Sequence, residues 1–321
     1  MQQQTIATLS KEERFEGFVL VRMSEQRTGS NGTKYLDMTL TDRTGEINGK
    51  LWDGNVPPPP VSSVIKVRGL VVEYNGRLQL RIEKLRQNEP TDDVDMAMLT
   101  PCAPDKPEDM LAEIHAALDA MQSDALRSIV RQMLAFYQDK LLYYPAAQRI
   151  HHAERSGLLH HTTGMIRLAR AVLAVYPQLN SDLVISGVIV HDLCKVEEMD
   201  SDDLGVVKDY TQAGLLLGHI AIGVTRIAEA ASAAGVTGEA VTLLSHMMLS
   251  HHGEENFGSP RKPMFPEAEA LHWIDLLDAR MNEMQTALGK VAPGVFSDRI
   301  FSLERRLYHP RYEALLPHED S

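Results

Sequence analysis

The feature that most constrains this chain is an apolar stretch, Val184 to Met199, that leads directly into charged side chains. Its sequence is VISGVIVHDLCKVEEM, so His191 and Asp192 stand side by side after an aliphatic run, and Lys195 follows. Burying an imidazole, a carboxylate and an ammonium is costly unless these groups are paired or bound to a cation. The stretch therefore indicates a metal site.

Four further segments place polar residues of ligand type within apolar surroundings. These residues are His160-His161, His219, His251-His252, and Asp275 with Asp278. One histidine on an apolar helix is more often a packed core residue, but five such segments in this order favour a common metal centre. Imidazoles and carboxylates suit Mn²⁺, Fe²⁺, Co²⁺ or Zn²⁺. The order resembles that of the HD superfamily of metal-dependent phosphohydrolases.

Roles follow from the spacing if two cations bind. We expect Asp192 to bridge the two cations and Lys195, one helical turn away, to face a phosphate. His161, His191 and Asp275 would complete the ligand set of the first ion, and His219, His251 and His252 would hold the second. Asp278 shares a helix face with Asp275 and is the alternative ligand. His151 and His152 are left open between supporting groups, substrate contacts and a solvated loop pair.

Length and composition predict a globular protein with room for two domains or one large one. The chain has 321 residues, of which 44% are hydrophobic, and contains two cysteines, Cys102 and Cys194, which is no disulfide framework. No basic N-terminal leader stands out, and no apolar segment reaches the roughly 18 residues that span a bilayer. We therefore expect a cytoplasmic protein without membrane contact, and the sequence leaves a homo-oligomer open.

Charge is distributed unevenly along the chain. The net charge is −12, yet residues 1 to 90 carry 13 basic and 11 acidic residues, against 19 and 33 in the rest. A net charge of −12 argues against an electrostatic grip on nucleic acid by the whole protein. Bound cations would weaken that objection, because they supply the positive charge that meets a phosphate.

Residues 15–86 predict an all-β OB-fold barrel that follows an N-terminal segment, 1–14. Five alternating stretches are candidate strands, and they lie at 18–22, 35–41, 46–52, 63–73 and 77–85. Asn75-Gly76 is a hairpin signal, whereas Pro57 to Pro60 cannot join a ladder and marks the connection between the third and fourth strands. A Gly-rich loop after the first strand supports the OB-fold assignment.

An OB barrel can bind a single strand by stacking bases on aromatic rings while basic residues follow the backbone. The aromatic candidates are Tyr35, Trp52 and Tyr74, and the basic ones include Arg22, Lys34 and Lys50. An aromatic residue in a strand is more often core or cross-strand packing, and basic residues often only face water. The fold also serves protein and sugar contacts, so it does not fix the ligand.

Residues 87–106 read as a linker, since they contain three prolines and scattered acids without periodicity. From residue 107 to 321 the pattern predicts an all-α bundle whose core lies at about 151–290. Helices are expected at about 158–175, 181–196, 210–234, 237–250 and 267–288, and Ile300 to Tyr308 is a further helical candidate. Ser181-Asp182 and Gly235 supply capping signals.

Together these motifs resemble the YhaM family of 3′→5′ exoribonucleases over nearly the whole chain. The resemblance rests on GLLHHT at 157–162, HDLCK at 191–195, LLGHI at 216–220, SHHG at 250–253, IDLLDA at 274–279 and the barrel segment 40–53. Two departures are His160 before His161, and Cys194 where the family usually has glycine. The resemblance implies an HD hydrolase that depends on two divalent ions, Mn²⁺ or a similar ion, and removes nucleoside 5′-monophosphates from the 3′ end of single-stranded RNA or DNA.

Two other functions remain open at this point. An HD phosphohydrolase could act on a nucleotide or cyclic dinucleotide, although the Gly-Tyr-Pro signature of one such group is absent. A non-catalytic single-strand binding protein could instead carry a structural ion. Structural sites are coordinatively closed, and the ligand set here is larger than one such ion needs.

Overall fold

The computed structural model describes residues 3–29, 32–148, 150–254 and 258–312, and the chain divides into two compact units, Met1–Cys102 and Ala103–Ser321. In the first unit five strands close a barrel in the order β1-β2-β3-β5-β4, with β3 and β5 parallel and the other pairs antiparallel. The strands are β1 (Arg14–Thr28), β2 (Lys34–Asp42), β3 (Gly45–Leu51), β4 (Val64–Tyr74) and β5 (Arg77–Gln87). The predicted OB-type barrel is confirmed.

Alternation of side chains builds the barrel, because every second residue of a strand points inward. Leu36, Met38 and Leu40 of β2 are fully buried, and alternate apolar residues of the other four strands are buried as well. Asn75 and Gly76 both have positive φ, 50° and 74°, which a tight hairpin between β4 and β5 requires. The tetraproline lies in the connection between β3 and β4.

Segments on both sides of the five strands pack on the same barrel. The Ile6 side chain is buried, and its N–H donates to Asp42 Oδ2 at 2.6 Å. Beyond β5, Met98 and Leu99 are buried, and the Arg43 N–H donates to the Met98 carbonyl at 3.0 Å. The first compact unit therefore reaches Cys102, well into the segment whose composition reads as a linker.

The second unit is a helical bundle with one small hairpin. Its helices are α1 (Pro107–Asp119), α2 (Asp124–Leu141), α3 (Gly157–Val175), α4 (Ser181–Val190), α5 (Lys195–Glu198), α6 (Gln212–Ala233), α7 (Glu239–Ser250) and α8 (Pro266–Leu288). Strands β6 (Met199–Ser201) and β7 (Val207–Tyr210) form the hairpin. The almost entirely apolar α4 is buried along its length from Leu183 onward, so it is the central helix of the bundle.

Three local predictions were wrong. The helix expected at 181–196 ends at Val190, because His191 to Cys194 form a turn before α5. The β6-β7 hairpin falls where no element was predicted. Ile300 to Tyr308 is not helical. The carbonyl of Arg305 accepts from the Ile300 N–H and the carbonyl of Leu307 accepts from the Ser297 N–H, so this segment forms isolated β-bridges instead of a helix.

Helix α6 contains a break that is important for the site. Gly218 has φ 69° and ψ 161°, values outside the helical region, which glycine adopts without the strain of a Cβ. By length and apolar composition α6 could cross a membrane, contrary to the expectation that no segment could. It packs instead against α2, α5 and α7 and carries the buried His219, as a core helix of a globular bundle does.

Candidate metal centre and nucleic-acid face

The turn between α4 and α5 places Asp192 at the centre of the bundle. Asp192 and His191 are almost fully buried, and Lys195 begins α5 with its ammonium Nζ 2.7 Å from Asp192 Oδ2. Burial alone would raise the pKa of Asp192, but Lys195, His191 and His219 outweigh it and hold that pKa well below its ordinary value. Asp192 is therefore a buried carboxylate anion.

One half of the centre faces Asp192 Oδ2 and joins α3, α4 and α8. His161 Nε2 lies 3.2 Å from His191 Nε2, 3.3 Å from Asp275 Oδ1 and 3.7 Å from Asp192 Oδ2. His191 Nε2 is 3.4 Å from Asp192 Oδ2 and 4.0 Å from Asp275 Oδ1. Two ligands each about 2.1 Å from one ion lie roughly 3 to 4.2 Å apart. These four atoms are therefore spaced to surround a single cation.

The other half faces Asp192 Oδ1 and joins α6 and α7. His219 Nε2 is 3.5 Å and His251 Nε2 is 3.9 Å from Asp192 Oδ1. His252 adds a third imidazole, since ligand atoms of His219, His251 and His252 lie within 4.8 Å of one another. The two carboxylate oxygens of Asp192 thus point into two adjacent groups of ligand atoms.

The hydrogen bonds of four histidines fix which ring nitrogen is bare. Each Nδ1–H has an acceptor: Asp278 Oδ2 for His161 at 2.7 Å, the Val188 carbonyl for His191 at 2.9 Å, Glu198 Oε2 for His219 at 3.0 Å and the Met248 carbonyl for His251 at 2.9 Å. A neutral imidazole that donates from Nδ1 presents a lone pair at Nε2. Four lone pairs therefore converge on the Asp192 carboxylate.

Buried acceptor atoms that lack a donor test whether a cation fits this centre. Within the described residues, Asp192 Oδ1, His219 Nε2 and His251 Nε2 are buried without a hydrogen-bond partner. Such groups are expensive to bury unless something satisfies them. Divalent cations satisfy exactly such oxygen and nitrogen acceptors, so the residues fit a divalent-metal centre.

Two of these imidazoles occupy equivalent places in the fold. His191 is the residue after the last turn of α4, and His251 is the residue after the last turn of α7. Each returns its Nδ1–H to the carbonyl three residues earlier, Val188 and Met248 respectively. Helix ends leave carbonyls unsatisfied, and here the imidazoles satisfy them.

The structure separates the roles of the two aspartates on α8. Asp275 Oδ1 is on the metal side of His161, 3.3 Å from Nε2, whereas Asp278 Oδ2 is on the opposite side, 2.7 Å from Nδ1. Asp275 therefore lies on the side of the candidate metal centre, and Asp278 holds His161 from the opposite side.

A cavity of about 810 Å³ opens onto this centre. Asp192, Lys195, His252 and Asp275 line its inner end, and His151 lines it as well. Burial first, and then the charge of Lys195, lower the pKa of His151 to about 3. The cavity therefore presents the metal centre, an ammonium group and a neutral imidazole to whatever enters.

On the barrel, four of the predicted nucleic-acid residues form one surface, which we call the aromatic patch: Tyr35, Lys50, Trp52 and Tyr74. The Tyr35 and Trp52 rings stack with centroids 4.5 Å apart, and Lys50 Nζ lies 5.3 Å from the Tyr35 centroid and 5.7 Å from that of Tyr74. Trp52 and Tyr74 are more than half exposed. A stacked, exposed aromatic pair beside a cation is a suitable surface for nucleobases.

The remaining two barrel candidates lie outside the aromatic patch. Arg22 is exposed at the bulge where the β1 register shifts between Val21 and Met23. Lys34 is exposed at the start of β2, beside Tyr35 in sequence. Neither has a contact with a patch ring among the described residues. The structure thus groups the predicted aromatic residues more closely than the basic ones.

Comparison with known proteins assigns the family. A family model for the HD domain matches residues 158–280, and one for an OB-fold nucleic acid binding domain matches residues 18–87. A 3′-5′ exoribonuclease YhaM from Geobacillus sp. is 42% identical over 311 residues, 96% of this chain and 95% of its own. The protein of that name from Listeria innocua is 40% identical over 305 residues, 94% of this chain and 96% of its own. The chain belongs to the YhaM family.

This YhaM-family chain keeps its candidate residues within the matched regions. The HD region contains every proposed metal ligand from His161 to Asp275, together with Lys195, and it implies a divalent-metal centre. The OB region contains the whole aromatic patch. The resemblance inferred from short motifs is therefore confirmed along both domains.

Sequence reasoning missed one supporting residue of this YhaM-family chain, Glu198, and left a second, His152, undecided. Glu198 accepts from His219 Nδ1–H and, at 3.2 Å, from the His219 backbone N–H. It stands one helical turn after Lys195, and that spacing could have indicated it. His152 was left open, but it is buried and contacts Asp278. No sequence signal distinguishes it from His151.

Proposed function

We propose that this protein is a metal-dependent 3′→5′ exoribonuclease that removes nucleoside 5′-monophosphates from single-stranded RNA, with single-stranded DNA as a second substrate. The observation that carries the proposal is the two-sided Asp192 carboxylate, which faces four bare imidazole nitrogens at the inner end of an open cavity. Relatives that match nearly the whole chain bear the name 3′-5′ exoribonuclease. The 3′→5′ polarity, the 5′-monophosphate product and the RNA substrate are inferred from membership of this family.

The ligand assignment follows the two halves of the centre. His161, His191, Asp192 and Asp275 would hold the first ion, and Asp192, His219, His251 and His252 the second. Imidazole and carboxylate donors suit Mn²⁺, our first choice, as well as Fe²⁺, Co²⁺ and Zn²⁺. Such ions, when bound, lower the pKa of water to near neutrality and offset negative charge on a phosphodiester.

The protein's own groups would orient the substrate around that centre. Lys195 is fixed by Asp192 and lines the cavity, so its ammonium would contact a non-bridging phosphate oxygen. His151, neutral because of its low pKa, would donate one hydrogen bond from its ring N–H to the same phosphate. A buried centre that is reached through a cavity favours the end of a strand over its middle.

The aromatic patch would hold the strand upstream of the scissile bond. Stacking is tolerant of sequence because each base has a π face, and it does not require a strongly basic surface. A domain with a net charge near zero can therefore bind RNA, even though the whole chain is acidic. We also place the protein in the cytoplasm, where its cysteines would stay reduced, and we leave its oligomeric state to measurement.

The test is a Mn²⁺-dependent assay with an oligoribonucleotide labelled at its 5′ end. We expect stepwise shortening and release of 5′-monophosphates. The double variant His191→Ala with Asp192→Ala should lose this activity while still binding RNA, whereas the control His246→Ala with Asp209→Ala, which leaves the centre intact, should retain it. Faster release from mononucleotides or cyclic dinucleotides, or equal cutting by the first double variant, would refute the proposal.

A further inference from the structure

A chain of hydrogen bonds continues behind His161 through Asp278 and His152 to Asn282. Asp278 Oδ2, which accepts from His161 Nδ1–H, also lies 2.8 Å from His152 Nε2. Behind His152, the side chain of Asn282 approaches from α8. We infer that His152, held by Asn282, is a positioning residue that fixes Asp278 and thereby aims His161 at the first metal ion. This inference rests on the proposed function only for the identity of that ion.

The amide of Asn282 determines which nitrogen of His152 carries the proton. The backbone N–H of His152 can only donate, so Asn282 Oδ1, which lies 2.9 Å from that backbone nitrogen, is the acceptor. The Asn282 Nδ2 group is then a donor, and it faces His152 Nδ1 at 3.3 Å. His152 Nδ1 must therefore accept.

His160 reinforces the same assignment from the other side. Its Nδ1 lies 2.7 Å from the Glu154 carboxylate, which can only accept when ionised, so His160 Nδ1 carries a proton. That N–H also points at His152 Nδ1 at 3.1 Å. Burial would raise the pKa of Glu154, but the neighbouring imidazoles of His152 and His160 lower it to about 2, so Glu154 stays ionised. With Nδ1 accepting, His152 Nε2–H donates to Asp278.

The backbone of His152 is held in a conformation that the surroundings impose. Its φ of 47° is left-handed, which is uncommon for a residue with a Cβ. Its carbonyl accepts from the Ala146 N–H at 3.1 Å and packs so closely on Gly157 that a Cβ there would lie 2.0 Å from the oxygen. Strained residues persist where neighbouring contacts over-determine them, often at functional sites.

Two donors on one oxygen hold the Asp278 carboxylate in a single orientation. His161 then keeps its proton on Nδ1 and its lone pair on Nε2, which is the tautomer that a metal ligand needs. Without the His152 donor, the carboxylate could rotate and the orientation of His161 would be less defined. Supporting groups of this kind typically change metal affinity by about 10- to 100-fold.

The experiment measures Mn²⁺ binding by electron paramagnetic resonance of the free ion, which does not depend on RNA turnover. We expect His152→Leu to weaken one of the two binding steps about 10- to 100-fold. His152→Gln should bind within about threefold of wild type, because its Nε2–H₂ can still donate to Asp278. Leu and Gln both carry a Cβ and experience the same strain at φ 47°, so the comparison isolates the donor.

Two further variants complete the design. Asn282→Leu, similar in size and on a partly exposed helix face, should weaken the same step, and His246→Leu should weaken neither. Wild-type affinity in His152→Leu, or equal weakening in Leu and Gln, would overturn the inference; if His152→Leu does not fold, Asn282→Leu decides. A wild-type protein that binds two ions but leaves RNA intact would refute the proposed function and not this inference.

Discussion

Asp192 and His219 face each other with Oδ1 and Nε2 3.5 Å apart, and neither atom has a hydrogen-bond partner in the described part of the chain. Two buried acceptors in this arrangement repel each other unless a cation lies between them. The same carboxylate serves the first half of the centre through Oδ2. Loss of its charge should therefore affect both ions.

Asp192→Asn tests this shared role, because it keeps the shape of the side chain and removes the charge. We expect both ions to be lost in equilibrium dialysis followed by elemental analysis, and RNA shortening to fall by more than the 10- to 100-fold typical of a supporting group. Asp209→Asn, an exposed aspartate on β7, is the control and should retain both ions. One ion still bound at wild-type affinity would show that Asp192 does not bridge.

Lys195→Met should separate metal binding from turnover. The ammonium is 2.7 Å from Asp192 Oδ2 and competes with the cations for that carboxylate, so its removal should leave Mn²⁺ affinity unchanged or higher. The rate should nevertheless fall about 10²- to 10³-fold, since a charge facing the phosphate is lost. Titration with Mn²⁺ and single-turnover kinetics measure the two effects. Weaker metal binding in Lys195→Met would contradict the assigned role.

Trp52→Ala should weaken RNA binding by the aromatic patch. Loss of one stacking platform costs about 1 to 3 kcal/mol, which corresponds to roughly 5- to 150-fold in affinity. Cleavage of a dinucleotide should be unchanged, because so short a substrate offers no further bases for the patch to bind. Phe18→Ala is a matched control, since Phe18 is another aromatic on the barrel with a lysine, Lys66, 5.5 Å from its centroid. Fluorescence anisotropy with a labelled oligonucleotide gives both affinities, and equal losses would exclude a specific patch.

A partly buried ion pair between α5 and α6 should make the free energy of unfolding depend on pH. Arg226 Nε and Nη2 donate to the two Glu197 oxygens at 2.7 and 2.9 Å, and Tyr137 donates to the same carboxylate. The Arg226 bonds come first among the causes that lower the pKa of Glu197. The contribution of this ion pair to stability is therefore fully present above the ordinary carboxyl pKa of 4.5. It is lost as the pH falls through the lower pKa that Glu197 has in the folded protein.

Glu197→Gln should consequently reduce the free energy of unfolding by about 1 kcal/mol at pH 7, a figure already reduced for partial exposure. The difference from wild type should shrink in urea titrations as the pH is lowered below 4.5. Glu229→Gln, which removes the exposed partner of the same Arg226, should change stability by less than about 0.5 kcal/mol. A difference that stays constant with pH would argue against ionisation as its cause.

The sequence was sufficient for the barrel, the bundle and the list of candidate ligands, because each depends on local patterns. Alternating strands and the Asn75-Gly76 turn predict the barrel, and polar residues in apolar segments predict the ligands. It could not choose between Asp275 and Asp278, which share a helix face three residues apart. That choice depends on which nitrogen of His161 each carboxylate meets, and only tertiary packing sets this.

Supporting residues were the main omission for a similar reason. Glu198 and His152 act through hydrogen bonds to residues 21 and 126 positions away, His219 and Asp278. The helix break at His191 was also missed, because Leu193 and Val196 continue the apolar spacing beyond the aliphatic run and favour one helix. The turn forms because the imidazole satisfies the Val188 carbonyl and the carboxylate pairs with Lys195.

The histidines at the ends of α4 and α7 restrict how this fold can vary. Each successive helical residue is rotated by about 100°, so one inserted residue in either helix would carry His191 or His251 away from the ion. Such an insertion would also leave the Val188 or Met248 carbonyl without its imidazole donor. Point substitutions can accumulate along α4 and α7, but the number of residues in each is fixed by the chemistry at its end.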